Sequence, residues 1–417
     1  MTGPASLARR LGTPDAVFIG LGSMIGAGVF AAFTPAAQAA GAGLLVGLVV
    51  AAIVATCNAL ASAQLAAAHP TSGGTYVYGR RELGPWWGFL AGWSFVIGKT
   101  ASCAAMALVF ASYAAPAGWE RPVAAAAVIA LAAVNYRGIT RTALMTRMIV
   151  VAVLVALTIA VVAAASPGLP SLAAIDPSAL IAEGPYAILQ SAGLLFFAFA
   201  GYARVATMGE EVRRPERTIP RAIVIALSIT VAIYAVVGVV LLGALGAEGL
   251  AASDAPIEQA AAASGWPWVA PVATVGAALA SLGALLALIA GIGRTTLAMA
   301  REGDLPGWLA AVHPRFQTPH HAEVALAVVV VVLVLTLDVR GAIGFSSFGV
   351  LLYYAVANAS ALAQARDARR YPRGLFVLGG LGCVALVATL PVASIVGGVA
   401  VVAVGLLYRA VRLARSA

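Results

Sequence analysis

The sequence GLGSMIGAGVF, residues 20–30, places four glycines within eleven residues of an otherwise apolar segment. Glycine costs roughly 1 kcal/mol relative to alanine inside a helix. A helix through this segment is therefore expected to unwind at Gly26-Ala27-Gly28. If the segment crosses a bilayer, the unwound backbone must line a protein or water-filled cavity, since lipid cannot satisfy its N–H and C=O groups. The alternative is close packing of helices through small residues, as in GxxxG interfaces.

The composition around this segment is that of a membrane protein. Of the 417 residues, 62% are hydrophobic and only 10% are charged, against roughly 25% charged residues in an ordinary soluble domain. The three cysteines lie in apolar runs, where a thiol behaves as a small hydrophobe rather than as a metal ligand. This composition excludes a cytosolic enzyme, a disordered regulator and a disulfide-stapled secreted domain. It predicts an all-α, polytopic membrane protein with no metal site and no cofactor.

The length and charge of the apolar segments predict twelve transmembrane helices. A bilayer-crossing helix needs roughly 20 mainly apolar residues. Breaks at charge clusters, Pro and Gly give spans at about 15–40, 42–68, 85–116, 122–137, 143–165, 185–208, 220–246, 268–299, 322–339, 342–365, 374–391 and 393–409. Pro391 alone separates the last two spans.

The distribution of basic residues predicts the orientation. With the N-terminus inside, all of the 25 Lys and Arg residues except Arg121, Arg340 and Lys99 fall in inner segments. Cytoplasmic loops collect Lys and Arg, so we expect a multi-pass protein of the cell membrane with both termini cytoplasmic. The net charge of +9 then reflects topology. No solvated basic face or aromatic-basic module indicates nucleic-acid binding.

A second interruption is expected in span 6, where Gly201 lies at mid-depth and is followed by Tyr202 and Arg204. Paired Gly-interrupted spans in two halves of a chain are the best sequence indication of a secondary-transporter binding site. Each half-helix N-terminus presents unpaired N–H groups and a positive dipole end, which suit a carboxylate. The opposing carbonyls suit an ammonium group. Together these groups match the backbone of an amino acid.

Four stretches resemble the amino acid–polyamine–organocation superfamily, and within it the bacterial permeases that are similar to cationic amino acid transporters. They are GLGSMIGAGVF at 20–30, HPTSGGTYVYGRRELGPWWGFLAGW at 69–93, FFAFAGYARVATMGEEVRRPERTIPRAI at 196–223 and GRTTLAMAREGDLPGWLAAVHPRFQTP at 293–319. The resemblance implies alternating access and a five-plus-five inverted repeat with discontinuous helices 1 and 6. The expected division is a cytoplasmic tail at 1–14, a first repeat at 15–166, a second repeat at 185–366, spans 11 and 12 at 373–410, and a cytoplasmic tail at 411–417.

The same resemblance implies a substrate cradle formed by the two interrupted helices. Amides of Gly26, Ala27 and Gly28 would meet the substrate carboxylate. Carbonyls near Gly22, Phe197 and Ala200 would receive the amine. The full predicted set is Gly22, Ser23, Met24, Ile25, Gly26, Ala27, Gly28, Phe197, Ala198, Phe199, Ala200, Gly201 and Tyr202.

Lys99, the only lysine, lies near the centre of span 3. It is about 15 residues from either end, or roughly 22 Å of helix, which is too far to snorkel to water. Two interpretations stay open: a packed lysine bonded to carbonyls of span 1 or span 8, or a titrating site in the transport cavity that loads and releases a proton. In several relatives that the resemblance covers, a lysine of span 5 occupies the position at which sodium binds in sodium-coupled members. The corresponding position in this sequence is near Val153, and no lysine lies there. We therefore expect sodium-independent transport, with Lys99 in the role of that lysine and protons as the candidate coupling ion.

A charged stretch follows span 6 and contains Arg204, Glu210 and Glu211. One interpretation is a solvated loop that anchors the helix at the inner surface. The other is a cytoplasmic gate that pairs these acids with an arginine of another inner segment: Arg80, Arg294 or Arg301. Such pairs lie near water and would be made and broken at little free-energy cost.

The acids and histidines limit the function further. None of the 16 acids is expected at mid-membrane, although a dibasic substrate would favour a buried carboxylate. We therefore expect a permease for a small or medium neutral amino acid, and the alternative is an organic amine or polyamine permease or exchanger. An enzyme is not expected, since there is no HExxH motif and no aspartate dyad within spans. A channel is not expected either, since the sequence contains no charged ring and no repeated filter loop. A sensor on a transporter scaffold stays open, and the sequence does not indicate the oligomeric state.

Overall fold

The computed structural model describes residues 11–69, 73–137, 142–166, 177–206, 208 and 212–416. Within these residues the chain is helical, and the only β-type pairing is a parallel bridge between Leu11 and Val212. The α-helices are α1 (Thr13–Met24), α2 (Ala27–Ala31), α3 (Phe33–Ala40), α4 (Leu44–Ala68), α5 (Thr75–Glu82), α6 (Pro85–Ala114), α7 (Glu120–Tyr136), α8 (Thr142–Ala165), α9 (Gly184–Phe199), α10 (Ala203–Ala206), α11 (Pro215–Ala252), α12 (Pro256–Ala262), α13 (Val269–Arg301), α14 (His320–Thr336), α15 (Val339–Ala363), α16 (Arg373–Thr389) and α17 (Val392–Ser416).

The prediction of a polytopic all-α protein is confirmed, but the number of twelve spans is not. Helices lie in each of the twelve predicted ranges. Within the described residues, however, only nine helical segments have the length and hydropathy of a span, and one of them, Phe33–Ala68, joins parts of two predicted spans. Two shorter apolar helices, α14 and α16, lie where spans 9 and 11 were predicted. The division into two repeats of five spans stays a prediction.

The centre of the bundle is formed by α6, α15 and the interrupted helix that contains α9 and α10. In each of these, 78% of the most apolar window is buried within the protein, against 22% in α17. Small residues allow the central helices to approach closely. A Cβ at Gly349 of α15 would lie 2.7 Å from the Cα of Gly98 in α6. Larger side chains at this crossing would separate the two helices.

Some elements differ from the sequence-based expectation. The short helices α5 and α12 were not predicted as separate elements. Helix α11 is longer than the predicted span 7 and is kinked at Gly246, whose φ of +68° is a conformation that glycine adopts without strain. Helices α16 and α17 are separate, as predicted, and the break includes Pro391.

The interruption in span 1 is real but lies slightly before its predicted position. Helix α1 ends at Met24, and Ile25 and Gly26 leave the helical conformation, with a ψ of −143° at Gly26. The helix resumes at Ala27, so Ala27 and Gly28 are helical. The expectation that all of Gly26-Ala27-Gly28 would unwind is therefore wrong for the last two residues.

Span 6 is interrupted in a milder way than span 1. Helix α9 ends at Phe199, a 3-10 turn covers Ala200–Tyr202, and α10 begins at Ala203. A 3-10 turn has a tighter hydrogen-bond pattern than the α-helix, so the backbone carbonyls are redirected here without full unwinding. Span 6 is thus a helix with a local change of pitch at Gly201.

Candidate functional site

The two interruptions lie directly against each other. A Cβ at Gly201 would overlap the backbone of Ser23, and a Cβ at Gly28 would lie only 2.7 Å from the Cα of Ala198. Real Cβ atoms almost never come so close. Glycine is thus required at both positions for the helices to meet in this conformation. The structure brings the two halves of the predicted cradle together.

A tyrosine that was not predicted joins the two interrupted helices. The hydroxyl of Tyr234, on α11, lies 2.5 Å from the carbonyl oxygen of Met24 and 3.0 Å from that of Ala198. Either carbonyl can accept the single proton of this hydroxyl, and the Tyr234 side chain is fully buried. Its ring packs on Phe199, with the ring centroids 5.0 Å apart. Tyr234 therefore holds the end of α1 next to the end of α9.

A third carbonyl of the interrupted helices accepts from Lys99. The Nζ atom of Lys99 donates to the oxygen of Ala200 at 3.1 Å, and the Tyr354 hydroxyl of α15 donates to the same oxygen at 3.3 Å. Lys99 is only 6% exposed. Its carbonyl partner belongs to span 6, not to span 1 or span 8 as the sequence suggested. The lysine thus places its side-chain amino group at the interruption of span 6.

The amide side of the site is the start of α2. The first amides of a helix have no acceptor within the helix, and here they belong to Ala27 and Gly28, both buried. Gly26, before them, faces α13, and a Cβ added to it would lie 2.8 Å from the Cβ of Ala284. The start of α2 thus offers backbone donors. The carbonyls of Met24 and Ala198, at the ends of α1 and α9, are acceptors.

The remaining predicted cradle residues occupy the same region. Gly22, Ser23 and Gly201 are half-buried. The Ser23 hydroxyl donates within its own helix, to the Ile19 carbonyl at 2.8 Å. The other members are buried, namely Met24, Ile25, Phe197, Ala198, Phe199, Ala200 and Tyr202. The role of each in binding stays a prediction.

The predicted gate is only partly visible. Glu210 and Glu211 lie outside the described residues, and Arg204 is half-buried in α10. Arg80, one of the arginines suggested as their partner, forms ion pairs with two other acids. Its guanidinium lies 2.8 Å from Asp304 and 3.6 Å from Glu302. The part of the chain that the structure describes thus holds a different ion-pair cluster at the end predicted to be cytoplasmic.

Asp304 is the centre of this cluster, the Asp304 cluster, which consists of Tyr76, Arg80, Asp304 and Arg409. Its carboxylate accepts from Tyr76 and Arg80, each at 2.8 Å, and from Arg409. Asp304 is 4% exposed and Arg409 is 5% exposed. Burial and the Asp304 carboxylate raise the pKa of the Tyr76 hydroxyl, so this hydroxyl remains a donor at neutral pH. The cluster ties α5 and the turn after α13 to the end of α17.

A second polar network lies between α4 and α15. The Gln64 amide donates to the Gln364 side chain at 2.8 Å, and the Gln364 amide donates to Glu82 at 3.1 Å. Glu82 also lies 2.6 Å from the ring of His69. These contacts link the ends of α4, α5 and α15. They provide the buried polar groups with partners, as low-dielectric surroundings require.

Sequence reasoning missed Tyr234, Tyr354 and the Asp304 cluster. Tyr234 is the one aromatic residue of the apolar span 7, and that contrast is the signal that could have singled it out. Asp304 lies in the stretch at 293–319, which was noted only for its resemblance to a family. Its partners lie at distant positions in the chain, Arg80 and Arg409. Such contacts depend on the three-dimensional packing.

These observations define a polytopic helical membrane protein in which two interrupted helices meet at a buried polar site. The profile of the amino acid permease family matches residues 11–413. The chain therefore belongs to the amino acid permease family, within the amino acid–polyamine–organocation superfamily, and is a transporter.

Three relatives illustrate the range of the similarity. An uncharacterized transporter of Mycobacterium tuberculosis is 58% identical over 412 residues, covering 98% of this chain and 92% of the relative. The branched-chain amino acid permease BcaP of Bacillus subtilis is 29% identical over 345 residues, covering 77% and 73%. The vacuolar cationic amino acid transporter 4 of Arabidopsis thaliana is 30% identical over 377 residues, covering 84% and 62%. Two of these relatives have names that state a substrate. Branched-chain amino acids have neutral side chains, whereas cationic amino acids carry a positive charge.

Proposed function

We propose that this protein is a secondary active transporter that carries a neutral amino acid across the cytoplasmic membrane by alternating access. The substrate would bind between the interruptions of spans 1 and 6. Both termini would be cytoplasmic, as the basic residues of the inner segments indicate. Because the two interruptions are in contact here, this conformation is a closed one. Admission of the substrate requires α1 and α9 to separate.

The convergence of backbone groups at the two interruptions carries the proposal. The carbonyl oxygens of Met24, Ala198 and Ala200 all lie within hydrogen-bond distance of side-chain donors of other helices. When the interrupted helices separate, these oxygens become available to the ammonium group of an amino acid. The α2 amides of Ala27 and Gly28 become available to its carboxylate. Positive helix ends favour such anions.

The placement of the buried acids favours a neutral substrate. In the described part of the chain, the buried acids are Asp304 and Glu323. Asp304 is already paired with two arginines, and Glu323 lies in the first turn of α14. Neither acid is among the nearest neighbours of Gly26 or Gly201. A dibasic substrate or polyamine would need a carboxylate for its second charge.

The position of Lys99 supports transport without sodium. Its ammonium group donates to the Ala200 carbonyl and supplies, from the protein itself, a positive charge beside the carbonyls of span 6. A bound cation would have to compete with this fixed charge. Span 8 also has no Ser or Thr between Ser281 and Thr295, and sodium prefers oxygen ligands. We propose that Lys99 replaces the sodium ion.

Counterflow in proteoliposomes tests the transport function. Purified protein is first screened by thermal shift against amino acids, organic amines and polyamines. Vesicles loaded with each stabilising compound are then diluted into a trace of the same labelled compound, with sodium or with choline outside. We expect labelled neutral amino acid to accumulate equally in both salts. Stabilisation without counterflow would indicate a sensor, and accumulation of polyamines alone would establish the alternative substrate class.

A further inference from the structure

A cavity of about 260 Å³ lies beside the Asp304 cluster, at the end of the bundle that is predicted to be cytoplasmic. It is formed by the turn after α13 and the last turns of α17, and its lining residues are Glu302, Gly303, Asp304, Arg409, Arg412 and Leu413. Pockets that enclose a whole small molecule measure roughly 300–1,000 Å³. This cavity is smaller, so it suits one polar group of a ligand whose remainder lies outside.

Arg412 gives the cavity a positive charge that no carboxylate balances. Within the described residues it forms no ion pair. Its guanidinium donates to two neutral oxygens, the Leu305 carbonyl at 2.6 Å and the Tyr408 hydroxyl at 3.3 Å. A guanidinium has five N–H donors, so Arg412 keeps donors for an anion.

Arg409 adds a buried donor to the same cavity. One of its terminal nitrogens donates to Asp304, but its buried Nε atom has no hydrogen-bond partner among the described residues. The rings of Trp86 and Phe89, centred 5.1 and 4.9 Å from its guanidinium carbon, stabilise the charge without offering an oxygen acceptor. An anion with several oxygens would supply the missing acceptor.

The two acids of the cavity do not cancel this positive charge. The Asp304 carboxylate is buried and shared by two arginines, Arg80 and Arg409. Glu302 is exposed to water, which screens its charge, and it lies 3.6 Å from Arg80. Three guanidinium groups thus accompany two carboxylates, and Arg412 carries the surplus charge.

The surroundings of the cavity are those of a membrane–water interface. Trp86 and Trp87, at the start of α6, are both exposed, and tryptophan collects at the headgroup level of a bilayer. The ring of Trp86 stacks on Arg409. We therefore expect the cavity to lie at the depth of the lipid headgroups.

Helix α17 continues from the cavity as an exposed apolar face. Val404, Leu407 and Val411 are exposed, and their spacing places them on one side of the helix. Arg415, four residues after Val411, extends this side and is exposed. An apolar face that ends in cations matches an acyl chain that ends in an anionic headgroup.

We propose that the cavity binds the phosphate of an anionic phospholipid from the cytoplasmic leaflet. Arg412 and the Nε–H of Arg409 donate to the phosphate oxygens, and Arg415 adds positive charge beside the headgroup. The acyl chains lie along the exposed face of α17. Basic pockets between transmembrane helices on the cytoplasmic side favour such headgroups. The bound lipid holds the end of α17 against the turn after α13.

Thermal unfolding in mixed micelles tests this site. Wild type is titrated with phosphatidylglycerol, and in parallel with phosphatidylcholine, whose headgroup has no net charge. A third series uses glycerol 3-phosphate, which offers the phosphate without acyl chains. The same titrations are made with Arg412→Gln, Arg415→Gln and Glu302→Gln. Arg315→Gln is the control, because Arg315 is an exposed arginine of the predicted inner end that does not line the cavity.

We expect phosphatidylglycerol to raise the unfolding midpoint of wild type in a saturable way, since a ligand of the folded state stabilises it. Phosphatidylcholine and glycerol 3-phosphate should not. Arg412→Gln and Arg415→Gln should each need about fivefold more phosphatidylglycerol for half-maximal stabilisation, as loss of one charge near an anionic surface implies. Glu302→Gln removes a negative charge and should need less. Arg315→Gln should match wild type.

Equal stabilisation of wild type by the two lipids would overturn the site. So would wild-type titrations of both Arg412→Gln and Arg415→Gln, or an equal loss in Arg315→Gln, which would indicate a general effect of surface charge. Stabilisation by glycerol 3-phosphate equal to that by phosphatidylglycerol would contradict a lipid and indicate a soluble phosphate compound.

A variant that does not fold leaves the test intact. Arg415 and Glu302 are both exposed, so Arg415→Gln and Glu302→Gln replace surface side chains and decide the outcome if Arg412→Gln is unstable. The lipid site predicts opposite shifts in these two variants, and a shift in neither would contradict it. None of these measurements involves transport, so their failure would not affect the proposed function.

Discussion

Gly201 and Ser23 are in such close contact that any side chain at Gly201 would overlap the Ser23 backbone. This contact joins the interruptions of two helices that are far apart in sequence. It involves backbone on both sides, so neither partner can yield by changing a rotamer. The closed conformation therefore depends on a glycine at this position.

We expect Gly201→Ala to abolish transport and to destabilise the closed conformation. Overpacking of a well-packed core typically costs about 1–3 kcal/mol, and a clash with backbone should reach the upper part of that range. Counterflow and thermal unfolding measure the two effects. Gly291→Ala is the matched control, since a Cβ at Gly291 meets no atom within 4 Å. A Gly201→Ala variant with wild-type counterflow would show that the two interruptions need not touch.

Tyr234→Phe should weaken the link between α1 and α9. It removes one buried hydroxyl and leaves the carbonyls of Met24 and Ala198 without this donor. Loss of a buried partner costs about 1–3 kcal/mol. We expect a lower midpoint of thermal unfolding and an altered substrate KM, because the freed carbonyls lie where the ammonium group would bind. Tyr186→Phe, at an exposed tyrosine, controls for the loss of a hydroxyl. Unchanged stability and KM in Tyr234→Phe would assign the hydroxyl no part in the site.

The sequence predicted that spans 1 and 6 are interrupted, but not the detail of either interruption. Glycine has two uses that a sequence does not distinguish: it unwinds a helix, and it permits close contact. Gly26 serves both uses, since the backbone leaves the helix there and a Cβ would lie 2.8 Å from that of Ala284. Gly28 serves the second, since it is helical and lies against Ala198. The predicted unwinding was therefore too long by two residues.

The partners of the backbone carbonyls could not be predicted from local patterns. Tyr234 and Tyr354 reach the interruptions from α11 and α15, and only the packing of the bundle brings them there. Lys99 was identified because a charge at mid-span needs compensation. Its partner was assigned to the wrong spans, because the periodicity of one helix does not state which neighbour its polar face meets.

Lys99→Met should reduce transport by about tenfold or more. A hydrogen bond from a charged donor contributes about 1.5–3 kcal/mol, and each 1.4 kcal/mol corresponds to about tenfold in rate. Methionine keeps the bulk of the side chain but offers no donor to the Ala200 carbonyl. Initial rates of uptake at several pH values measure the effect. Thr100→Val tests the neighbouring buried residue, whose hydroxyl bonds only within its own helix. Wild-type rates and pH dependence in Lys99→Met would remove the lysine from the mechanism.

Asp304→Asn should destabilise the protein more than any change of a surface acid. Asp304 neutralises Arg409, which is 5% exposed and whose guanidinium carbon lies 4.9 Å from the ring centroid of Phe89. Removal of one partner of a buried ion pair leaves an uncompensated charge and costs about 3–5 kcal/mol. Glu302→Gln provides the comparison, because the Glu302 side chain is 59% exposed and its ion pair with Arg80 spans 3.6 Å. Exposed pairs of this kind contribute about 0–1 kcal/mol.

Thermal unfolding of Asp304→Asn, Glu302→Gln and the double variant Asp304→Leu/Arg409→Met distinguishes lost charge pairing from lost packing. The double variant removes both buried charges of the α17 contact while keeping apolar volume, so it should regain part of the stability that Asp304→Asn loses. A double variant no more stable than Asp304→Asn would mean that the remaining contacts of Asp304, to Tyr76 and Arg80, dominate. In that case the main structural role of this carboxylate would be to hold α5 in place, rather than to attach α17.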